Sequence, residues 1–444
     1  MRPVPLTASR LSRAVATTTP LAFASGSGVE LVAGDGTRYL DFISGYGVVN
    51  TGHCHPRVVA AIQEQAATLI HVSTVGSTEP ARAYAERLCS AAPIEDAKLF
   101  FTNSGTEAVE AALKLVRYAS GRPNVVAFSG GFHGRTLGSL SVSTSKAAFR
   151  TRHEPLGGGV YVVPYPRIEL GPTLAALSRL FLEQVEPERV AAFIVEPVLG
   201  EGGYVVPPDD FLPALRELCD EHGIVLIVDE VQSGFGRTGR LFACEHAGVA
   251  PDLMTVGKGI ASGFPMGALI GRADLMDAWE PGAHGTTFAG GPLACAAAEA
   301  TLDVLEDEDL LENATLRGAQ LLDGLRQLAA AYESIVDVRG RGLMVGVGLS
   351  SAAAAGRLRL ELLDRHVIVS VCGPESSTIR LSPPLIVDEG HVRRFLDAAQ
   401  DALQAARTDA SSRPDASAST ATRSTSTPSG LSAESGSTSS LTTA

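Results

Sequence analysis

The chain has 444 residues, 45 % of them apolar and 19 % charged, enough to bury one large core with a smaller one beside it. Its formal net charge of −13 excludes the broad basic face that a nucleic-acid or anionic-membrane partner requires. No apolar run is long enough to span a bilayer, and residues 1–20 carry Arg2, Arg10 and Arg13 without an apolar leader, so a cytoplasmic protein is expected.

Near the N-terminus, VELVAGDGTRYLDF alternates with period two around an Asp-Gly turn and predicts a hairpin. Apolar runs then alternate with helical stretches: AKLFFT before a helix over 107–119, VVAFSG, YVVPY, VAAFIVEPV before a helix over 211–221, IVLIVDEV, LMTVGK and GALIG. Runs this apolar predict an α/β fold with a parallel or mostly parallel sheet covered on both faces. From about Gly291 two long helical patterns lead into VDVRGRGLMVGVGL, a further helix, VIVSVC, TIRLSPP and a last helix over 388–406, the rhythm of a smaller α/β lobe. From Thr408 to Ala444 the sequence turns to Ser, Thr, Ala and Pro, too few large apolar groups to offset its ordering entropy, so a disordered tail is expected. The expected division is an arm and hairpin over 1–50 belonging with the small domain, a large domain over 51–300, the small domain over 301–407 and the tail over 408–444.

Ligands of an open α/β sheet sit beyond the carboxyl ends of its strands, so the chemistry is sought there. Asp229 ends IVLIVD and Lys258 follows LMTVG, each where an apolar run breaks into glycine-rich turns. Alone, Asp229 reads as a turn cap and Lys258 as a solvated lysine. Together they fit a pyridoxal phosphate site, in which a buried amine forms a Schiff base with the aldehyde and a carboxylate keeps the pyridine nitrogen protonated. Ser104, Gly105 and Thr106 open a helix after AKLFFT, either as an ordinary N-cap or as an anion site for a phosphate. Phe132, His133 and Arg135 follow VVAFSG, and Glu196 and Glu201 follow VAAFIV. Four strand ends that each offer a group useful to a planar, phosphorylated cofactor favour the cofactor reading. Cys54, Cys89, Cys219, Cys244, Cys295 and Cys372 show no CxxC pair and no ligand spacing to histidine, so neither a metal site nor a disulfide framework is expected.

NTGHCHP, FTNSGTEAVEAALKLVR, GFHGRT, IVEPVLGEGG, VDEVQSGFGRTG, GKGIASGFPMGA, HGTTFAGGPLACAAA and TIRLSPP occur in the order in which they stand in the class III aminotransferases. The chain resembles that family from about Gly34 to Ala405. The resemblance implies the fold type I scaffold and pyridoxal 5′-phosphate as cofactor. It makes Lys258 the Schiff-base lysine and Asp229 the partner of the pyridine nitrogen. Gln232 falls on the ring hydroxyl, Phe132 and Val231 on the two ring faces, and His133 among the cofactor contacts. Ser104, Gly105 and Thr106 fall on the phosphate, joined by Thr287 from the neighbouring subunit, which implies a homodimer with shared sites. Glu201 and Arg380 correspond to a switchable pair that opens to bind the α-carboxylate of glutamate. Tyr46, Arg135 and Glu196 complete the substrate set.

Arg135 within FHGRT resembles the 4-aminobutyrate aminotransferases, where the matching arginine takes the donor's distal carboxylate. Tyr46 within ISGYGVVNTGHCHP instead resembles the ornithine aminotransferases. The expected reaction moves an amino group from a 4-aminobutyrate-like ω-amino acid to 2-oxoglutarate, giving a semialdehyde and glutamate. Ornithine or acetylornithine as donor is the alternative. A racemase or aminomutase on the same scaffold, a nucleotide-binding oxidoreductase and a non-catalytic dimeric scaffold also remain open at this point.

Overall fold

The structure, a computed structural model, describes residues 10, 12, 14 and 17–412. Strands β1 (Phe23–Ser27), β2 (Glu30–Ala33) and β3 (Arg38–Asp41) form an antiparallel meander in which Leu31 faces Tyr39 across the expected Asp-Gly turn.

The central sheet is built from β4 (Ala97–Thr102), β5 (Asn124–Phe128), β6 (Val160–Val163), β7 (Val190–Val195), β8 (Val225–Asp229), β9 (Leu253–Val256) and β10 (Gly267–Arg272). Its order is β4-β10-β9-β8-β7-β5-β6. Strand β10 runs antiparallel to both neighbours and every other pair is parallel, so the expected mostly parallel sheet is present. Period two assigns the two faces: Val125 and Ala127 of β5 pack with Ile194 and the helix residues Val109, Leu113 and Val116, whereas Val126 and Phe128 pack with Phe193 and Phe211 on the other side. Both faces being covered, β5, β7 and β9 are buried throughout, which is why, Asn124 and Thr255 apart, their residues are apolar on both faces rather than alternating. Each fully buried Val, Ile, Leu, Met or Phe side chain among them contributes about 1.5–3 kcal/mol.

The remaining strands are β11 (Ile335–Arg341) and β12 (Met344–Leu349), which form a hairpin, then β13 (Val367–Ile368), β14 (Ser370–Cys372) and β15 (Thr378–Leu381); all but β13 make a third sheet in the order β11-β12-β15-β14. VIVSVC, one run in sequence, is divided between two sheets. Strand β13 adds in parallel to β3 of the N-terminal meander, while β14 pairs antiparallel with β15. Buried Val369 lies between them. An apolar run states only that it is buried and carries no information about its partner.

The last helix, Glu389–Ser412, extends past the expected helix end at Ala406. Adding residues to an existing helix needs no new nucleus, so a sequence that could not start a helix can extend one. The remainder of the expected tail, 413–444, lies outside the described residues. Among the described residues no helix is long and apolar enough to cross a membrane.

Candidate functional site

The carboxyl ends of the parallel strands open on a cavity of about 490 Å³. Asp229, the last residue of β8, is almost shut from solvent at its floor. Its Oδ1 accepts from Val231 N and from Thr255 Oγ1, each at 3.0 Å, and its Oδ2 lies 2.7 Å from His133 Nδ1. Burial on its own works to lower the His133 imidazole, but the hydrogen bond and charge of Asp229, together with the charge of Glu196, leave it raised above its ordinary value.

Lys258 follows β9 and lines the same cavity from a left-handed backbone, φ 45°. Burial above all pulls its ammonium down to about 8, against the attraction of Asp229 and Glu196. A lysine in this state releases its proton readily. Glu196 is fully enclosed and burial pushes its carboxyl up to about 7. Both of its oxygens are occupied, Oε1 by Phe132 N and Oε2 by Gly200 N, each at 2.8 Å, so this side chain ties two strand-end loops together beneath the cavity.

Two glycines are dictated by close approach. A Cβ on Gly105 would stand 2.6 Å from Val231 Cγ1, and one on Gly200 would stand 1.9 Å from Gln232 Oε1. The helix N-terminus and the β8 turn therefore meet because position 105 lacks a side chain, and Gln232 can lie over the Leu199–Gly203 turn as it does because position 200 lacks one.

Of the residues singled out in sequence, Tyr46, Gly105, Thr106, Phe132, His133, Arg135, Glu196, Glu201, Asp229, Val231, Gln232, Lys258 and Arg380 all line this one cavity. Ser104 does not. Its Oγ accepts from Glu107 N at 3.4 Å as the N-cap of the helix Gly105–Ser120. Thr287 is exposed and stands outside the lining of this cavity. Sequence reading missed Lys146, whose Nζ donates to Glu201 Oε1 at 2.9 Å, and Thr255, which anchors Asp229. Lys146 lies in a loop at no strand end, so no local signal marks it.

Arg380, on β15, donates from Nη1 to Glu201 Oε2 at 2.7 Å and places its guanidinium 4.5 Å from the centre of the Tyr46 ring. Arg135 stacks on Phe149 at 4.3 Å and makes no ion pair among the described residues. An easily neutralised amine, a buried carboxylate held by three donors, a flat wall with an aromatic ring and a helix N-terminus with a threonine suit an aldehyde, a pyridine nitrogen, a planar ring and a phosphate in turn.

Residues 12–403 match the family described as aminotransferase class-III. The acetylornithine aminotransferase of Methanopyrus kandleri (strain AV19) is 44 % identical over 386 residues, which cover 87 % of this chain and 95 % of the relative. The 4-aminobutyrate aminotransferase of Escherichia coli (strain K12) is 41 % identical over 377 residues, 82 % of this chain and 88 % of the relative. The crystal structure of the ornithine aminotransferase from Toxoplasma gondii ME49 superposes with a TM-score of 0.83 at 32 % identity, covering 90 % of this chain and 94 % of that one.

The chain belongs to the class III aminotransferases. Members of this family use pyridoxal 5′-phosphate, and the residues of the cavity fit that group. The protein is therefore a pyridoxal-phosphate-dependent transferase acting on amino and keto acid substrates, which sets aside the oxidoreductase and scaffold readings. The similar enzymes divide between 4-aminobutyrate and ornithine or acetylornithine donors, so family membership alone leaves the donor undetermined.

Proposed function

We propose that this class III aminotransferase moves the amino group of a 4-aminobutyrate-like ω-amino acid to 2-oxoglutarate, giving a semialdehyde and glutamate. The observation that carries the reading is the Glu201–Arg380 pair at 2.7 Å inside the cavity, with Lys146 on the other Glu201 oxygen. A guanidinium paired with an internal carboxylate accommodates a donor lacking an α-carboxylate, and it becomes a bidentate carboxylate site when that carboxylate yields. Such a switch suits an enzyme that alternates between an ω-amino acid and glutamate. Arg135 supplies a second cation for the donor's distal carboxylate.

Pyridoxal phosphate, when bound, supplies an aldehyde that captures amines and a ring that withdraws electrons from the carbon being deprotonated. Lys258 would hold the aldehyde, Asp229 the pyridine nitrogen with His133 bracing it, and Gln232 the ring hydroxyl. Phe132 and Val231 would enclose the ring, and Ser104, Gly105 and Thr106 would hold the phosphate with Thr287 of a second copy. That last role makes the working unit a homodimer with shared sites. Lys258 Nζ, lowered to about 8 and so increasingly neutral above that pH, would take the proton from the donor's amine-bearing carbon and later return one. Asp229, which accepts from three donors, would hold a proton on the ring nitrogen, and that proton would let the ring draw in the electrons left at the deprotonated carbon. Glu196 holds the Phe132 and Gly200 loops in place and, with both oxygens occupied, supports the walls that substrate meets. The division of the chain into an arm, a large domain over 51–300, a small domain over 301–407 and a tail belongs to the same reading.

A donor panel tests it: 4-aminobutyrate, β-alanine, ornithine, acetylornithine and lysine, each with 2-oxoglutarate and with glutamate as the measured product. The reading expects 4-aminobutyrate or its near homologues to give the highest kcat/KM. The second reading, ornithine or acetylornithine as donor, is supported by Tyr46 in the cavity wall beside Arg380. Preference for those donors would replace the first reading, and interconversion of enantiomers without any oxo acid would replace both.

A further inference from the structure

Two cations reach Glu201 from different parts of the fold. Arg380, on β15, donates from Nη1 to Oε2 at 2.7 Å, while Lys146, in the loop just before the short turn Ala147–Phe149, donates from Nζ to Oε1 at 2.9 Å. Arg380 lines the cavity and Lys146 does not. The Arg380 contact is incomplete, because its buried Nε has no hydrogen-bond partner among the described residues. A guanidinium that gives Glu201 one N–H group can do better with an incoming carboxylate that it grips by two. The backbone around the pair is fixed: Gly373 N donates to the Glu201 carbonyl and Arg339 Nε to the Gly203 carbonyl, each at 2.9 Å. The carboxylate is therefore the part of Glu201 that moves when Arg380 is taken. Lys146 is held as well, since its ammonium stands 5.7 Å from the centre of the Phe149 ring and Arg150 Nη1, close by in sequence, donates to the Ser143 carbonyl at 2.8 Å. The side chains of Lys146 and Glu201 are only 17 % and 13 % exposed, so water can do little to replace either partner.

We propose that Lys146 is a positioning residue for the glutamate half of the reaction, keeping hold of Glu201 while a substrate α-carboxylate occupies Arg380. Counting charges gives the reason. With glutamate bound, its α-carboxylate and that of Glu201 both lie near Arg380, and Lys146 makes the count two cations against two anions. Without Lys146, one guanidinium faces both anions and the displaced Glu201 is left enclosed with no counter-ion, which is the costly way to break a buried pair. A donor that reacts at an amine remote from its carboxylate leaves Arg380 with Glu201, so there the loss of Lys146 removes only one of two partners. An ammonium suits the task because its three N–H groups on a flexible stem can follow the carboxylate as it turns. The inference rests on the Glu201–Arg380 exchange proposed above and assigns to it a residue outside the cavity lining.

The test follows the two half-reactions of the holoenzyme separately, as loss of its visible absorbance in single turnovers with glutamate and with the better donor of 4-aminobutyrate and ornithine. In Lys146→Met the efficiency with glutamate relative to the donor is expected to fall about tenfold, chiefly because the half-saturating glutamate concentration rises. Lys146→Gln, which keeps a hydrogen-bond donor without the charge, repeats that fall, and Lys146→Arg recovers most of the wild-type ratio. An unchanged ratio in Lys146→Met, or an equal fall in Lys146→Arg, overturns the inference. Lys146→Gln carries the measurement alone should the methionine form fold poorly. Glu201→Ala is measured beside them. If glutamate does not convert the wild-type holoenzyme, or Glu201→Ala slows both half-reactions alike, the Arg380 exchange fails and the inference falls with it; if Glu201→Ala separates the two and Lys146→Met does not, the inference alone fails.

Discussion

His133 Nδ1 and Asp229 Oδ2 lie 2.7 Å apart, both nearly shut from solvent, at the floor of the cavity. Burial opposes charge on His133, yet Asp229 and Glu196 hold its imidazole above the ordinary value. A group raised in the folded state stabilises fully below its unfolded value of 6.5, and that contribution is lost as pH rises through the folded value. The stability of the apoprotein relative to His133→Gln should therefore shrink as pH rises above 6.5. Calorimetric melts of both proteins across neutral pH check this, and a gap that widens with pH would sink the charged-pair account.

Lys258 gives the opposite sign. With its ammonium lowered to about 8 in the folded chain against 10.5 when free, the unfolded state binds more protons between those values, so this group makes the apoprotein more stable as pH rises across that window. The same shift sets the chemistry. Recapture of pyridoxal phosphate by the apoprotein should accelerate through pH 8 and level off above it, followed as growth of the visible absorbance. Lys258→Ala should lose both that absorbance and turnover; near-normal transamination by this variant would remove the assignment.

Glu201 stands between Arg380 and Lys146. Glu201→Ala removes the internal partner and leaves two cations facing an arriving carboxylate. Single-turnover rates with glutamate should hold or rise, whereas those with 4-aminobutyrate should fall by about ten- to a hundredfold, the loss expected when a buried charge goes unpaired. Equal losses in both half-reactions would show that Glu201 shapes the fold rather than the choice of substrate.

Gly200 lies against Gln232, and an added Cβ would stand 1.9 Å from Gln232 Oε1. Gly200→Ala should push Gln232 aside, and pyridoxal phosphate affinity should fall by about 1–3 kcal/mol, which is roughly five- to 150-fold, if Gln232 holds the ring. Equilibrium dialysis measures it, and wild-type affinity in this variant would detach Gln232 from the cofactor.

The sequence by itself determined the covered sheet, because continuous apolar runs such as VAAFIV have no stable place except between two packed layers. It also marked the strand-end residues Asp229, Lys258 and Glu196, because a polar group that interrupts such a run lands at the sheet's carboxyl edge. Only the tertiary structure decided which partners meet. It divided VIVSVC between two sheets, carried the last helix to Ser412, turned Lys146 onto Glu201, and brought Thr18 to Tyr46 across 28 positions of chain. Burial and periodicity are local properties written residue by residue, whereas a hydrogen bond between distant segments depends on the path of all the chain between them.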